Sequence, residues 1–256
     1  FSQNKTVFFF TESFKFFIQT ENRDAYSFDD HESFRDLYPA KDFIDSEYPL
    51  LYKHELNNSL GQYFEKFDCP PNIVILIIEV LNDDFIHDYE GALFMPFLNS
   101  LKDSSLYWDR CFTVGERSFA VVPSVLGGLP YGQKGFTLLD KLPRHLSLVS
   151  VLNSNNYHTS FFYGQARWFH QKSRFFDYND IDLIFDNSSY SQKYSKIIVG
   201  DDNFFWGYND KDLFNQSFEV IDTLARSRRL DIYFTGTSHS PFMIDDEEYY
   251  SSRLKS

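Results

Sequence analysis

Residues 69–79 read CPPNIVILIIE, and the fold turns on that run. Paired prolines lack amide donors and fix φ, so they exclude helix and set an extended entry. The apolar stretch that follows, Ile73 to Ile78, is the longest in the chain and is strand-sized, well short of a membrane span. A continuous apolar strand is expected to be buried on both faces. In a chain of 256 residues it therefore predicts a central parallel sheet.

Outward from that strand, the pattern alternates. MPFLNSLKDSS (95–105) reads as a short helix and LYWDRCFTV (106–114) as a second strand. SFAVVPSVLGGLP (118–130) reads as a helix that starts at or near Ser118 and is closed by Gly-Gly-Leu-Pro. RHLSLVSVLNSNNY is a helix ended by asparagines, and HTSFFYG is the strand after it. DLFNQSFEVIDTLARSRR is an amphipathic helix followed by the strand LDIYFTGTS. Strands alternating with helices predict an α/β domain: a central, mostly parallel sheet flanked by helices. Residues 1–70 are polar and aromatic, with short helical patches such as TESFKFFIQT; they are expected to form an N-terminal extension packed on a main domain of residues 71–256.

Composition narrows the function. The net charge of −13 argues against nucleic acid as the main partner, because phosphate backbones need clustered Lys and Arg. It leaves room for one cationic or metal-lined pocket. The 30 Phe and 17 Tyr supply many rings able to line such a pocket. Cys69 and Cys111 lie far apart, without ligand spacing, and suggest neither a disulfide framework nor a zinc site. The chain begins FSQNKTVFFF, without an initiator Met, and reads as a piece of something longer, with any membrane anchor outside it.

Ligands of such sheets bind beyond the carboxyl ends of the strands. Glu79 after IVILII, Ser118 beyond LYWDRCFTV, and His239 after LDIYFTGTS all belong to that rim. Each residue has two readings. Glu79 is either a polar residue where a strand surfaces or an oxygen ligand for a divalent cation. Ser118 is either a helix N-cap or a nucleophile activated by a metal ion or the helix end. His239, in TSHSPF, is either a loop histidine or a donor to a phosphate or leaving-group oxygen. Trp168 and His170, in ARWFHQKSRFF, are either packing residues or the aromatic wall and polar contact of a headgroup pocket. His31, His54, His87, His145 and His158 show no paired spacing and read as structural or surface residues.

Taken in order, PNIVILIIEVL, MPFLNSL, GERSFAVVPSVLGGLP, FFYG…WFH, WGYNDKDLF and TSHSPF resemble the landmarks of the sulfatase and alkaline-phosphatase superfamily. The nearest branch is that of the lipoteichoic acid synthases and phosphoglycerol transferases, over about residues 70 to 245. The resemblance implies an alkaline-phosphatase/sulfatase-like fold, apparently without its C-terminal part. It also implies a divalent metal, manganese first and zinc or magnesium next. The activity implied is transfer of phosphoglycerol, or a similar phospholipid headgroup, to a glycan or polyol-phosphate acceptor through a covalent intermediate. The expected location is the extracytoplasmic face of a bacterial membrane, with a membrane segment outside this chain. By position, Glu79 matches the metal-binding carboxylate. Ser118, after Arg117, falls where the branch has a threonine nucleophile and metal ligand. Trp168 and His239 match substrate contacts, and His170 falls where an arginine is common. SFAVV lacks the Pro and Arg of a sulfatase formylglycine motif, and no DHG follows TSHSPF. Phosphoethanolamine transfer, phosphodiester or sulfate-ester hydrolysis, and a non-catalytic binding relative remain alternatives.

Overall fold

A computed structural model describes residues 42–43, 52–53, 60–65, 67–89, 92–115, 117–131, 135–224, 228–240 and 242. The chain divides into two compact units, Phe1–Lys66 and Phe67–Ser256. In the first, strands β1 (Asp42–Phe43) and β2 (Tyr52–Lys53) pair antiparallel, and Lys53 Nζ lies 2.9 Å from Asp42 Oδ2. The expected packing of residues 1–70 on the main domain, like the helical patch TESFKFFIQT, lies outside the described residues.

The second unit is built on the run that opened the sequence. Ile73–Ile77 forms strand β3. Two short pairs follow: β4 (Asp88–Tyr89) with β5 (Ala92–Leu93) and, much later in the chain, β8 (Ile197–Val199) with β9 (Phe204–Gly207), both antiparallel. The central sheet has four strands in the order β3, β10 (Arg229–Phe234), β6 (His158–Tyr163), β7 (Leu183–Phe185), and every pairing in it is parallel. The α/β expectation holds.

Two apolar layers follow from the alternation of side chains along these strands. One face carries Ile77, Phe161, Tyr163, Leu230, Ile232 and Phe234. It is covered by helices α2 (Val121–Gly127), α3 (Leu148–Ser154) and α4 (Lys172–Tyr178), through residues such as Val122, Leu126, Val149, Phe175 and Phe176. The opposite face carries Phe162, Phe185 and Tyr233, and α5 (Asp210–Thr223) covers it with Leu213. The remaining helix, α1 (Pro96–Leu101), follows β5 and has Pro96 in its first turn.

Two sequence expectations need correction. β3 is an edge strand of the described sheet, and it is not buried on both faces. Ile73, Ile75 and Ile77 point into the first layer, but Val74 is 64% exposed and Leu76 48%. The second layer covers β10, β6 and β7 and stops short of β3 among the described residues. Residues 106–114 are the other departure, because they form no strand. Asp109 and Arg110 make a turn in the middle of the run, and Phe112 is 88% exposed. An apolar alternation with no neighbouring strand to pair with stays irregular.

Candidate active site

The carboxyl ends of β3, β6 and β10 converge on one cavity of about 80 Å³. Its walls include Glu79, Ser118, Tyr163, Gln165, His170 and Lys172, and further around the rim Arg117, Trp206 and His239.

Glu79 follows β3 by two residues and is buried. Its backbone is fixed from both sides by the loop after β10: Glu79 N–H donates to Thr235 Oγ1 at 2.9 Å, and the Ser238 hydroxyl donates to the Glu79 carbonyl at 2.6 Å. Thr235 N–H also reaches the Ile77 carbonyl at 3.0 Å, extending the ladder beyond the strand end. These bonds aim the carboxylate into the cavity, where its Oε1 accepts a hydrogen bond from the Ser118 hydroxyl at 2.5 Å.

Ser118 opens a 3₁₀ turn (Ser118–Ala120) that runs into α2. The helix therefore starts at Ser118 as expected, but the capping role does not hold. Arg117 occupies the N-cap position with no side-chain cap, and the serine hydroxyl is committed to Glu79. Gly128 closes α2 in the left-handed conformation, φ +61°, and its N–H donates to the Ser124 carbonyl at 2.9 Å.

His170 stacks on Phe119, with ring centroids 4.5 Å apart. It and Gln171 both adopt φ near +54°, at 53° and 54°, a rare pair for side-chain-bearing residues. Burial, then the positive groups of Lys172, Arg117 and His239, pull the His170 imidazole below its ordinary pKa. Lys172, the first residue of α4, follows this double left-handed turn and is only 2% exposed. Lys172 Nζ donates to Tyr163 Oη at 3.2 Å and to the Phe169 carbonyl at 3.1 Å. Burial lowers the Lys172 pKa to about 8, opposed in part by the charge of Glu79, and burial pushes the Tyr163 phenol up.

His239 lines the cavity against Trp206, ring centroids 5.0 Å apart. Its loop is clamped by Asp210 at the start of α5, which accepts from the N–H groups of Gly236 at 2.7 Å and Thr237 at 3.2 Å. Asp210 is itself held above the usual carboxylate pKa by burial, against the pull of those hydrogen bonds. The geometry thus brings Glu79, Arg117, Ser118, His170 and His239 together. Trp168 stands apart: it is 67% exposed and outside the lining, and Trp206 is the indole at the cavity.

Sequence reasoning did not single out Tyr163, Gln165, Lys172, Trp206 or Asp210. Trp206 and Asp210 lie in WGYND, a segment quoted without assigning its side chains. Gln165 is buried, and its Oε1 has no hydrogen-bond partner among the described residues. Nothing in the local pattern marks it. Its signal is the three glycines packed around it: a Cβ at Gly236 would lie 2.2 Å from Gln165 Nε2, and one at Gly207 3.0 Å from its Cγ, while Gly164 precedes it.

As a metal site, the carboxylate of Glu79 and the hydroxyl of Ser118 suit two positions around a hard divalent cation. Among the described residues no group of three or more His, Cys, Asp or Glu adds to them. No helix of the described residues is long and apolar enough to cross a membrane.

Similarity to known proteins bears on the family and the fold. The Sulfatase family model matches residues 71–255. Lipoteichoic acid synthase 2 of Bacillus subtilis (strain 168) is 26% identical over 220 residues, which is 83% of this chain and 32% of that protein. An alkaline phosphatase superfamily protein from Vibrio parahaemolyticus superimposes with a TM-score of 0.56 at 26% identity, over 69% of this chain and 42% of its own. The lipoteichoic acid synthase LtaP from Listeria monocytogenes gives 0.57 at 19% identity, over 69% and 43%, and attests the fold. The chain spans about a third of the curated relative and less than half of either solved chain. Members of this superfamily generally use divalent metals. Motif order, parallel sheet and a family match across nearly the whole second unit agree, and the chain belongs to the sulfatase family, within the alkaline-phosphatase superfamily and similar to the lipoteichoic acid synthases.

Proposed function

We propose that the pocket transfers a phospholipid headgroup, phosphoglycerol or one like it, by double displacement with Ser118 as the nucleophile. The observation that carries this reading is the 2.5 Å hydrogen bond from the Ser118 hydroxyl to the buried Glu79 carboxylate, inside the cavity. Ser118 Oγ attacks phosphorus, the bond to the lipid alcohol breaks, and a phosphodiester to Ser118 forms. The serine proton passes to Glu79 and ends on the departing alcohol oxygen. In the second half, an acceptor hydroxyl attacks the same phosphorus, and its proton returns to Ser118 Oγ by that route. His239 and Arg117 line the pocket as hydrogen-bond donors for the headgroup, with His170 beside them and Trp168 outside on the rim as an approach contact.

Glu79 and Ser118 are also the proposed oxygen ligands of a divalent ion, manganese ahead of zinc or magnesium, with the other donors beyond the described residues. Such an ion would lower the pKa of a bound hydroxyl and offset charge on a phosphoryl oxygen. The donor is a membrane phospholipid, the acceptor a glycan or polyol phosphate, and the setting the extracytoplasmic face of a bacterial membrane.

Turnover of phosphatidylglycerol, followed as diacylglycerol release, tests this reading. Ser118→Ala is expected to lower it by at least about a thousandfold, the scale of losing a nucleophile. Normal release from that variant would exclude Ser118 as the nucleophile, and no release by the unmodified protein would instead favour a binding protein that keeps the fold.

A further inference from the structure

Lys172 is a buried amine with no ion-pair partner among the described residues, and the charge of Glu79 in the same cavity lining offsets its burial only in part. The side chain is 2% exposed, and among the described residues no carboxylate forms an ion pair with it. Its ammonium has three N–H donors, and two are used, on Tyr163 Oη at 3.2 Å and the Phe169 carbonyl at 3.1 Å. The rest of its shell is aromatic: the rings of Tyr163, Phe169 and Phe234 lie 4.7, 5.1 and 5.3 Å from Nζ. Such contacts offset part of the cost of burying a cation, and a full offset takes an anion.

Nζ nevertheless faces a cavity rather than closed core, because Lys172, Tyr163, Phe169 and Phe234 all line it. Among the described residues Glu79 is the only acidic one in that lining, and its Oε1 accepts from Ser118. Arg117 adds a permanent cation to the same lining. In a chain with a net charge of −13, this is a local reversal of sign. Tyr163 contributes as well: its oxygen accepts from Lys172, so its own hydroxyl hydrogen is left to donate.

We infer that Lys172, with the Tyr163 hydroxyl beside it, is an anion-binding residue whose remaining N–H grips a phosphoryl oxygen of the ligand. The inference rests on the reading of the pocket as a phosphoryl-transfer site and assigns it a cation from within the fold. The shared chemistry is a phosphate oxyanion, from either a lipid headgroup or free phosphate.

The test is calorimetric titration of the full chain and its Lys172→Met and Lys172→Arg variants, with and without added manganese. One arm uses inorganic phosphate. The other uses vesicles of phosphatidylglycerol in phosphatidylcholine, against phosphatidylcholine alone. Lys172→Met is expected to weaken binding about tenfold or more, the scale of a charge-assisted hydrogen bond, while Lys172→Arg recovers part of it. Loss in either arm supports the assignment, and the arm names the source of the anion. Unchanged affinity in both arms, or no binding by the unmodified protein, overturns it. Should Lys172→Met fail to fold, the ε-ammonium resonance of Lys172 in the unmodified protein replaces it. That signal is expected to move with added phosphate and not with chloride at equal ionic strength; a signal indifferent to both overturns the inference. Ser118 is probed separately. Lost phosphate affinity without any Ser118 adduct would count against the transfer reading alone, and an adduct with unchanged affinity in Lys172→Met against this assignment alone.

Discussion

The pocket is defined by an acid and a hydroxyl that share one hydrogen bond. Glu79 and Ser118 are 39 positions apart, and each has an ordinary structural reading until the fold joins them. What joins them is hydrogen bonding: the Thr235 and Ser238 hydroxyls hold the Glu79 main chain, and the Ser118 hydroxyl donates to the carboxylate. Lys172 was not legible. A lysine at the start of a helix normally reaches solvent, whereas this one follows two left-handed residues and is buried. Its burial has a measurable consequence for stability. With the folded pKa lowered to about 8 from 10.5, the unfolded chain binds more protons between those values, so this group makes stability rise as pH increases through that window. The gain is expected to be on the order of 2 to 3 kcal/mol by pH 10. Chemical denaturation at pH 7.5 and 9.5 (values chosen to fall about either side of the lower pKa) checks it, and Lys172→Met should flatten the difference.

At the scale of elements, what the sequence made clear was periodicity. Strands β6 and β10 and helix α5 each carry enough alternation or amphipathy to be read directly, although α5 stops at Thr223, short of the expected run to Arg229, and β10 stops at Phe234, short of TGTS. The failures came where a pattern depends on its neighbours. LYWDRCFTV has strand composition but no partner strand among the described residues, and β3 has core composition at a sheet edge. The short α4, β7 and the β8–β9 hairpin carry too few residues for a period to show. Two element-scale predictions follow from packing. Ser147 caps α3, accepting from Ser150 N–H at 3.2 Å, and its hydroxyl donates to Asn179 Oδ1 at 2.7 Å. Ser147→Ala should cost about 1–2 kcal/mol in urea denaturation. Gly164 ends β6 where the chain before α5 crosses it, and an added Cβ would meet the Tyr208 carbonyl oxygen at 2.5 Å. Because that obstacle is backbone, Gly164→Ala should cost about 1–3 kcal/mol in the same assay and disturb the neighbouring Gln165 wall.

For the whole molecule, charge and topology pull in different directions. A parallel sheet gathers its functional groups at the carboxyl ends of its strands, and three of those ends meet here. The order of six short landmarks, more than any one of them, made that convergence readable, because order reports topology while a single motif reports only local shape. Trp206 shows the limit of the method: the landmark was in place, but which of the indoles reaches the cavity depends on how the β8–β9 hairpin folds. The chain's net charge of −13 opposes the proposed capture of an anion, so long-range repulsion should slow encounter with anionic vesicles at low salt. Raising ionic strength from about 10 to about 150 mM is expected to speed that association, read by stopped-flow fluorescence, since the Debye length falls from about 30 to about 8 Å. The central claim, that Ser118 carries the transferred group, is tested most directly by mapping the covalent intermediate. Protein quenched during incubation with phosphatidylglycerol and analysed by intact and fragment mass spectrometry should show a glycerophosphate ester on Ser118, absent from Ser118→Ala. A glycerophosphate adduct on another residue, or one that persists in Ser118→Ala, would contradict it.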